Sequence, residues 1–292
     1  MNHRAFAYSA LLLLVTLAAL AHAGDTVLYE KASAFSTLVV TEDENRLRTL
    51  RFGRNGARQS VVKPGDPDHL ELPYARVAFT GLALSDEPRR ILIVGLGGGT
   101  LPMFLRKHYP EATIDVVDID PDVVLVARQF FGFREDERLR AHVADGRLFI
   151  EQVRQPYDVI FLDAFGADSV PAHLTTQEFL QAVRRAVTPG GVVIGNVWGR
   201  YSNSLYDAMV RTYQEVFDNL FILEVRGAGN MILLALPRKQ ALNRDDLTLR
   251  ARRVSTAKRL RFDLGDEVNY GFSNASVKDQ DKQILRDPIS PK

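Results

Sequence analysis

A short apolar run followed at once by a cluster of glycines constrains this chain more than any other stretch. Ile91–Val94 has the composition of a strand buried on both faces, and Gly95–Gly99 follows it with only Leu96 as a non-glycine residue. Glycine lets the backbone approach a ligand closely, and a helix that begins here offers free N–H groups. The stretch predicts a strand, a ligand-binding turn and a helix with Thr100 as its N-cap.

A second buried strand follows and ends in an acid. Thr113–Asp118 has the pattern of such a strand, and Asp118 lies 23 residues after Gly95. An acid at about this distance can accept hydrogen bonds from the hydroxyls of a ribose. The spacing of Gly95, Gly97 and Gly99 is typical of S-adenosylmethionine-binding domains rather than of dinucleotide-binding ones. The alternative is a tight strand-to-helix turn that binds no ligand.

Acids also follow the next two predicted strands. Leu139–Ala144 is followed by Asp145, and the strongly apolar Tyr157–Leu162 is followed by Asp163. Alternating strands and helices predict a parallel sheet with helices on both faces, and ligands bind such sheets beyond the carboxyl ends of the strands. Acids at three successive strand ends therefore predict a site, although a single one could equally cap a helix.

By pattern the chain divides into four parts. Residues 1–23 form a targeting segment, 24–68 a small β unit, 69–240 the glycine-turn domain, and 241–292 a C-terminal helix with a polar tail. The glycine-turn domain has seven predicted strands, of which the last two resemble an antiparallel pair. We expect the polar, proline-ended tail to be poorly ordered.

The first residues have the order of a secretory signal peptide. Arg4 precedes the uncharged run Ala5–Ala21, and Ala21–Ala23 supplies a small-x-small cleavage site before Gly24. We expect cleavage after Ala23 and an exported protein, periplasmic or secreted. The alternative is a retained membrane anchor, for which the apolar run is at the short limit.

Composition excludes several kinds of chemistry. The 292 residues are 46% apolar and 25% charged, as in an ordinary globular protein. The absence of cysteine excludes disulfides, thiolate catalysis and cysteine metal sites. The six histidines have no paired metal-ligand spacing, so we expect no metal. The formal net charge of +1 predicts no bulk attraction to nucleic acid, and we expect no nucleic-acid partner.

Taken together, four segments resemble the spermidine synthase (polyamine aminopropyltransferase) family, in particular its divergent branch, which includes proteins fused to membrane domains. The segments are Val94–Gly99, Val117–Asp120, Ala144–Gly146 and Asp163–Phe165. The loop after Asp163 is the more specific part, because many methyltransferases share the glycine turn and the second-strand acid. The resemblance covers roughly residues 27–240.

The resemblance implies a Rossmann-like, S-adenosylmethionine-dependent methyltransferase fold behind a small N-terminal β domain. It implies aminopropyl transfer from decarboxylated S-adenosylmethionine to a diamine such as putrescine, with Asp163 as the general base. Asp118 would hold the ribose and Asp145 the adenine amine. The implied donor-binding residues are Gly95, Gly97, Gly99, Asp118, Asp145 and Gly146, and the implied acceptor-binding residues are Gln59, Tyr74 and Asp168. The substrate would be a polyamine or another small amine, and we also expect a homodimer.

Three departures from the family pattern keep other functions open. The family has an acid where this chain has Gly98, and Tyr-His-Glu where it has Tyr74–Arg76; its second acid follows the base by three residues, whereas Asp168 follows by five. Each missing group would hold a polyamine nitrogen. The alternatives are a methyltransferase that uses intact S-adenosylmethionine and a non-enzymatic nucleoside-binding protein that keeps only the fold. Asp163 favours aminopropyl transfer, and Gly98 favours the alternatives.

Overall fold

The computed structural model describes residues 25–166 and 169–288. The predicted targeting segment at 1–23 and the predicted acceptor residue Asp168 lie outside the described residues. Within those two ranges, no helix has the length and apolar character needed to cross a bilayer.

The chain begins with a four-stranded antiparallel sheet in sequential order. Its strands are β1 (Thr26–Ala32), β2 (Thr37–Glu42), β3 (Arg48–Phe52) and β4 (Arg58–Val62). Alternating apolar residues of β2 and β3 are fully buried and join the core of the following domain, so the two sheets share one hydrophobic cluster. This packing holds the β3–β4 hairpin over the carboxyl edge of the second sheet.

A short helix and a 3₁₀ segment lead into the second sheet. Helix α1 (Pro73–Ala78) continues as a 3₁₀ turn over Phe79–Leu84, where the apolar spacing of the sequence favours one longer helix. Thr80 donates its hydroxyl to the carbonyl of Val77 inside the core, a local hydrogen bond that accompanies the tighter turn. Tyr74 lies in the first turn of α1, facing the second sheet.

The second sheet has eight strands in the order β12-β10-β11-β9-β8-β5-β6-β7. The elements after α1 are β5 (Arg90–Val94), α2 (Thr100–His108), β6 (Thr113–Asp118), α3 (Pro121–Phe130), β7 (Leu139–Val143), α4 (Gly146–Glu151), β8 (Tyr157–Leu162), α5 (Gln177–Ala186), β9 (Val187–Trp198), α6 (Tyr206–Val216), β10 (Asn219–Glu224), β11 (Asn230–Leu236), α7 (Arg244–Ala257), α8 (Leu264–Gly271) and β12 (Phe272–Asn274). Strands β5 to β9 run parallel, and β10, β11 and β12 add antiparallel pairs. The mostly parallel sheet and the antiparallel sheet before it confirm the predicted fold class.

The count of seven strands was wrong, because a strand from the C-terminal region completes the edge. β12 pairs with β10 through Phe272 and Ser273, and Phe272 stacks on Phe221 at 5.6 Å. Pattern reading missed it because three residues are too few for a periodicity.

Both faces of the sheet are covered by helices. Ile91, Ile93 and Phe161 point to the face covered by α1, α2, α3, α7 and α8, whereas Leu92 and Ile160 point to the face covered by α4, α5 and α6. Burying each such side chain contributes about 1.5–3 kcal/mol, so packing on both faces stabilises the sheet in its observed strand register. The register in turn fixes which residues emerge at the carboxyl edge.

The C-terminal region is more ordered than its composition predicts. It forms two helices rather than one, because Leu247, Ala251, Leu264 and Val268 are fully buried against the core. The following segment, residues 275–288, continues across α6 and α5, where Leu285 packs in the second apolar cluster.

Candidate active site

The glycine turn brings the ends of three neighbouring strands together. Gly95 has a φ of +102°, and a Cβ atom there would lie 2.3 Å from the carbonyl oxygen of Asp163. The Gly95 N–H donates to Val117, and the Asp163 N–H donates to Val94, both over 2.8 Å. Glycine is required here because any larger residue would separate the ends of β5 and β8.

Helix α2 begins one residue differently from the prediction. Gly99, at φ +81°, is the N-cap, and Thr100 is the first helical residue and makes no side-chain cap bond. A left-handed residue at this place turns the chain out of the glycine loop, and the helix follows without a side-chain cap. Thr100 Oγ1 instead lies 3.3 Å from Ser60 Oγ in β4.

Asp118 is bound to the glycine turn itself. Its Oδ2 accepts from the Leu96 N–H over 2.9 Å, and its Oδ1 accepts from the Asp120 N–H over 3.0 Å. Burial raises the pKa of Asp118, and these backbone donors act in the opposite direction. Each oxygen keeps a second lone pair, so the carboxylate can also accept a hydroxyl from a ligand.

A cavity of about 710 Å³ lies at the carboxyl edge of the parallel strands. Its walls come from the β3–β4 hairpin, the start of α1, the strand ends, the loop after β8 and the β10–β11 turn. The lining residues that the sequence predicts as site residues are Gln59, Tyr74, Gly95, Gly97, Asp118, Asp145, Gly146 and Asp163. Its volume is in the range of small-molecule sites, which reach about 300–1,000 Å³.

One predicted residue lies elsewhere. Gly99 does not line the cavity but packs against Phe133, whose side chain would lie 3.0 Å from an added Cβ atom. Its contribution is to the turn geometry rather than to a ligand. Tyr29 and Glu30 of β1 also lie away from the cavity, where they contact Phe130 and Arg54.

Asp163 is held by two donors from different parts of the chain. Tyr74 donates its hydroxyl to Oδ2 over 3.0 Å, and Asn196 donates its amide to Oδ1 over 2.8 Å. Burial raises the pKa of Asp163 to about 6, although both hydrogen bonds lower it. Burial and the Asp163 charge raise the pKa of Tyr74 well above its usual range, so its hydroxyl stays protonated and continues to donate. Asp163 is thus a fixed carboxylate whose pKa lies above that of an ordinary aspartate.

Asp145 has both a structural and a cavity-lining position. Its Oδ1 caps α4 by accepting from the N–H groups of Arg147 and Leu148, and its Oδ2 lies 3.0 Å from His173 Nε2. The capping alternative is therefore correct for Asp145, and the same side chain still faces the cavity. Arg147 makes a bidentate ion pair with Asp287, which ties residues 275–288 to this wall.

Several lining residues were not predicted from the sequence. Asn196 and Asn230 are both buried, and Asn230 donates to Asn196 over 2.9 Å behind Asp163. Glu71 lines the opposite wall beside Tyr74. Asn196 could have been identified from the sequence, because it is a polar residue inside the apolar stretch of β9. A buried amide needs a specific hydrogen-bond partner.

The lining is dominated by negative charge. Five carboxylate side chains line the cavity, against one arginine and no lysine among the described lining residues; they are Glu71, Asp118, Asp120, Asp145 and Asp163, and the arginine is Arg58. Phe165 and Trp198 meet edge to face at 5.9 Å on the same wall. Anionic and aromatic surfaces together favour a cationic ligand. Across the described ranges, no group of three or more His, Asp or Glu side chains is arranged to hold a metal ion.

Comparison with known proteins gives the family. A profile of the spermine/spermidine synthase domain matches residues 75–223. The polyamine aminopropyltransferase of Vibrio vulnificus (strain CMCP6) is 35% identical over 228 residues, which cover 74% of this chain and 75% of that protein. This chain belongs to the spermine/spermidine synthase family.

Relatives of this family member include methyltransferases. The eEF1A lysine and N-terminal methyltransferase of Bos taurus is 36% identical over 186 residues, covering 58% of this chain and 26% of that protein. The chain thus spans about a quarter of that relative's length. The crystal structure of human methyltransferase-like protein 13 in complex with SAH has a TM-score of 0.59 and 33% identity, covering 64% of this chain and 93% of that chain.

The fold of the family extends over nearly the whole chain. A probable spermidine synthase from Corynebacterium glutamicum has a TM-score of 0.71 at 22% identity, covering 90% of this chain and 97% of that chain. This likeness includes the N-terminal sheet as well as the larger domain.

Proposed function

We propose that this protein transfers an aminopropyl group from decarboxylated S-adenosylmethionine to an amine acceptor of the diamine class, with Asp163 as the general base. The observation that carries the proposal is the Asp163 carboxylate, held by Tyr74 and Asn196 inside an anionic cavity. Membership of the spermine/spermidine synthase family supports it.

The position of Asp163 suits removal of a proton from an ammonium group. An ammonium has no lone pair, so the acceptor nitrogen must lose a proton before or as it attacks carbon. The pKa of Asp163, raised to about 6, is closer to that of an alkylammonium, which is about 10. The smaller difference in pKa makes proton transfer to Asp163 less unfavourable. The nitrogen then forms a bond to the carbon next to the sulfonium, the carbon–sulfur bond breaks, and its electron pair stays on sulfur as a neutral thioether.

The other walls suit a nucleoside sulfonium donor. Asp118 can accept hydrogen bonds from the ribose hydroxyls, and Asp145 can accept one from the adenine amine. Gly95 lets the backbone approach the ligand closely. Phe165 and Trp198 offer aromatic faces to the sulfonium. Because the decarboxylated donor carries an ammonium and no carboxylate, the excess of acids in the cavity favours it over intact S-adenosylmethionine.

Methyl transfer from intact S-adenosylmethionine is the second candidate, and Gly98 favours it. The family's acid at this position is absent, and an added Cβ atom would lie 3.0 Å from both Ser60 Oγ and Phe131 Cδ1. A polyamine nitrogen therefore lacks one anionic partner. Arg58, at the rim, could bind the carboxylate that only the intact donor has.

Donor binding and product mass together test the proposal. Calorimetry with S-adenosylmethionine, its decarboxylated form and methylthioadenosine identifies the donor, and mass spectrometry of putrescine after incubation identifies the transferred group. We expect preference for the decarboxylated donor and a product heavier by one aminopropyl group. A product heavier by one methyl group would establish the second candidate, and donor binding without transfer to putrescine would contradict aminopropyl transfer to a diamine.

A further inference from the structure

Two buried asparagines form a chain of hydrogen bonds that ends on Asp163. Asn230 donates its amide nitrogen to Asn196 Oδ1 over 2.9 Å, and Asn196 donates its own to Asp163 Oδ1 over 2.8 Å. Asn196 and Asn230 are 5% and 8% exposed, and buried amides of this kind need specific hydrogen-bond partners. The chain thus connects β11 through β9 to the end of β8.

The pairing of β9 with β11 fixes this contact. Asn196 lies opposite Ile232, and Asn230 lies opposite Trp198, so the two amides are diagonal neighbours on the antiparallel pair. Such neighbours are within reach of one another on one face of a sheet. The amides therefore meet because of strand register and not because of a flexible loop.

An ionised Asp163 and the Asn230 amide both favour the same orientation of the Asn196 amide. An ionised carboxylate can only accept, so Asn196 must turn its nitrogen towards Asp163 and its oxygen towards β11. Asn230 meets that oxygen with its own nitrogen. If Asn196 turned around, its oxygen would face the carboxylate and its nitrogen would face the nitrogen of Asn230, so neither contact would be a hydrogen bond.

We propose that Asn230 is a positioning residue for the general base: by holding Asn196 in one amide orientation, it keeps a donor on Asp163. This inference rests on the proposed role of Asp163. Asn230 acts through Asn196, and it sets the proton affinity of the base rather than touching the transferred proton.

An acceptor in place of the Asn230 amide should reverse the direction of the hydrogen bonds that connect Asn230, Asn196 and Asp163, which we call the relay. In Asn230→Asp, the new carboxylate competes with Asp163 for the nitrogen of Asn196, and we expect it to turn the Asn196 oxygen towards Asp163. Asp163 then loses a hydrogen bond that favours its charged form, which raises its pKa. The new charge also acts directly through space, so the two effects must be separated.

The other groups that face Asp163 stay unchanged in this comparison. Tyr74 from α1 is the titratable group in direct contact, and Gly95 and Val94 contact only its backbone. The remaining charged or titratable side chains that line the cavity are Glu71, Asp118, Asp120, Asp145, His173 and Arg58.

The test is a carbon-13 NMR titration of aspartate carboxyls in the full chain without substrate. The Asp163 signal is assigned by its loss in Asp163→Asn. We expect Asn230→Asp to raise the titration midpoint by about one pH unit, and by less than half as much when Asn196→Ala is already present. Asn219→Asp is the matched control, because Asn219 is bonded to Ser276 at the opposite end of the neighbouring strand β10, and it should leave the midpoint unchanged.

Equal shifts with and without Asn196 would overturn the relay, since charge alone would then explain them. An unshifted midpoint would also overturn it. If Asn230→Asp does not fold, Asn230→Leu is the second variant, because it keeps the volume and removes the amide. It should raise the Asp163 titration midpoint by a smaller amount, and an unchanged midpoint would overturn the proposal. Because the titration needs no substrate, its outcome is independent of whether aminopropyl transfer occurs. Where transfer occurs, the acidic limb of kcat/KM should move with the midpoint, and donor affinity should not.

Discussion

The Tyr74 hydroxyl donates to Asp163 Oδ2 over 3.0 Å and so joins helix α1 to the end of strand β8. The two residues are 89 positions apart in sequence. The contact leaves the carboxylate fixed between Tyr74 and Asn196 in the wall of the cavity. Asp163 therefore differs from the other acids of the cavity in being held by one side chain from α1 and one from β9.

Replacing Asp163 by asparagine should abolish most of the turnover while leaving donor binding intact. The amide keeps the shape of the carboxylate but cannot accept a proton, and loss of a general base typically costs about 10²–10⁴ in rate. Donor affinity should change little, because Asp118 and Asp145 line the nucleoside end. The measurement is kcat alongside calorimetric donor affinity, with the exposed Asp245→Asn as the matched control. Normal turnover in Asp163→Asn would exclude the base role.

The same substitution should change how stability depends on pH. Asp163 has a pKa of about 6 when folded, against about 4 when unfolded. The folded state therefore binds more protons between these values, so the contribution of Asp163 to the free energy of unfolding is fully present below pH 4 and is lost as the pH rises through 6. Relative to wild type, Asp163→Asn should gain about 2 kcal/mol between pH 4 and pH 7. Urea unfolding at both pH values measures this, and a constant difference would mean that Asp163 is not perturbed.

Asp118→Ala should weaken nucleoside binding and leave the sheet folded. Losing a charge-assisted hydrogen bond costs about 1.5–3 kcal/mol, which is roughly ten- to hundredfold in affinity. The N–H groups of Leu96 and Asp120 also lose their acceptor, so a modest fall in melting temperature is expected. Calorimetry with methylthioadenosine provides the affinity. An unchanged value in a folded variant would remove Asp118 from the site.

Restoring the family's acid at Gly98 should destabilise the protein. An added Cβ atom would lie 3.0 Å from Phe131 Cδ1 and 3.1 Å from Ser60 Cβ, so both neighbours must move. Overpacking of this kind costs about 1–3 kcal/mol. Gly190→Asp is the control, since no heavy atom lies within 4 Å of a Cβ atom there. Equal stability of the two variants would show that the turn relaxes without cost.

Asp287→Asn should loosen the C-terminal segment. Arg147 holds the pKa of Asp287 below its usual range, so this stabilisation is present above about pH 4 and lost as the pH falls below it. The ion-paired side chains are 20% and 31% exposed, so we expect a loss of about 0.5–1.5 kcal/mol at pH 7. Asp281→Asn, an exposed change in the same segment, should cost nothing measurable. Identical unfolding curves for both variants at pH 7 would rule out a stabilising ion pair.

Much of the fold follows from local pattern. Apolar runs such as Ile91–Val94 and Tyr157–Leu162 identify buried parallel strands, because only a strand covered on both faces lacks alternation. The glycine turn and the acids after three strands were also visible, since chain order places parallel strand ends at one edge of a sheet. The N-cap at Thr100 was misplaced because a left-handed Gly99 leaves the same sequence signature.

The sequence by itself determined the sheet, the glycine turn and the family, because these depend on residues close together in the chain. Only the tertiary structure decided how Asp163 is held, since its donors Tyr74 and Asn196 come from α1 and β9. The amide behind them, Asn230, is placed by antiparallel register with β9, which no local pattern specifies. The pKa of Asp163 is likewise a property of burial and distant donors, so it arises when the chain packs.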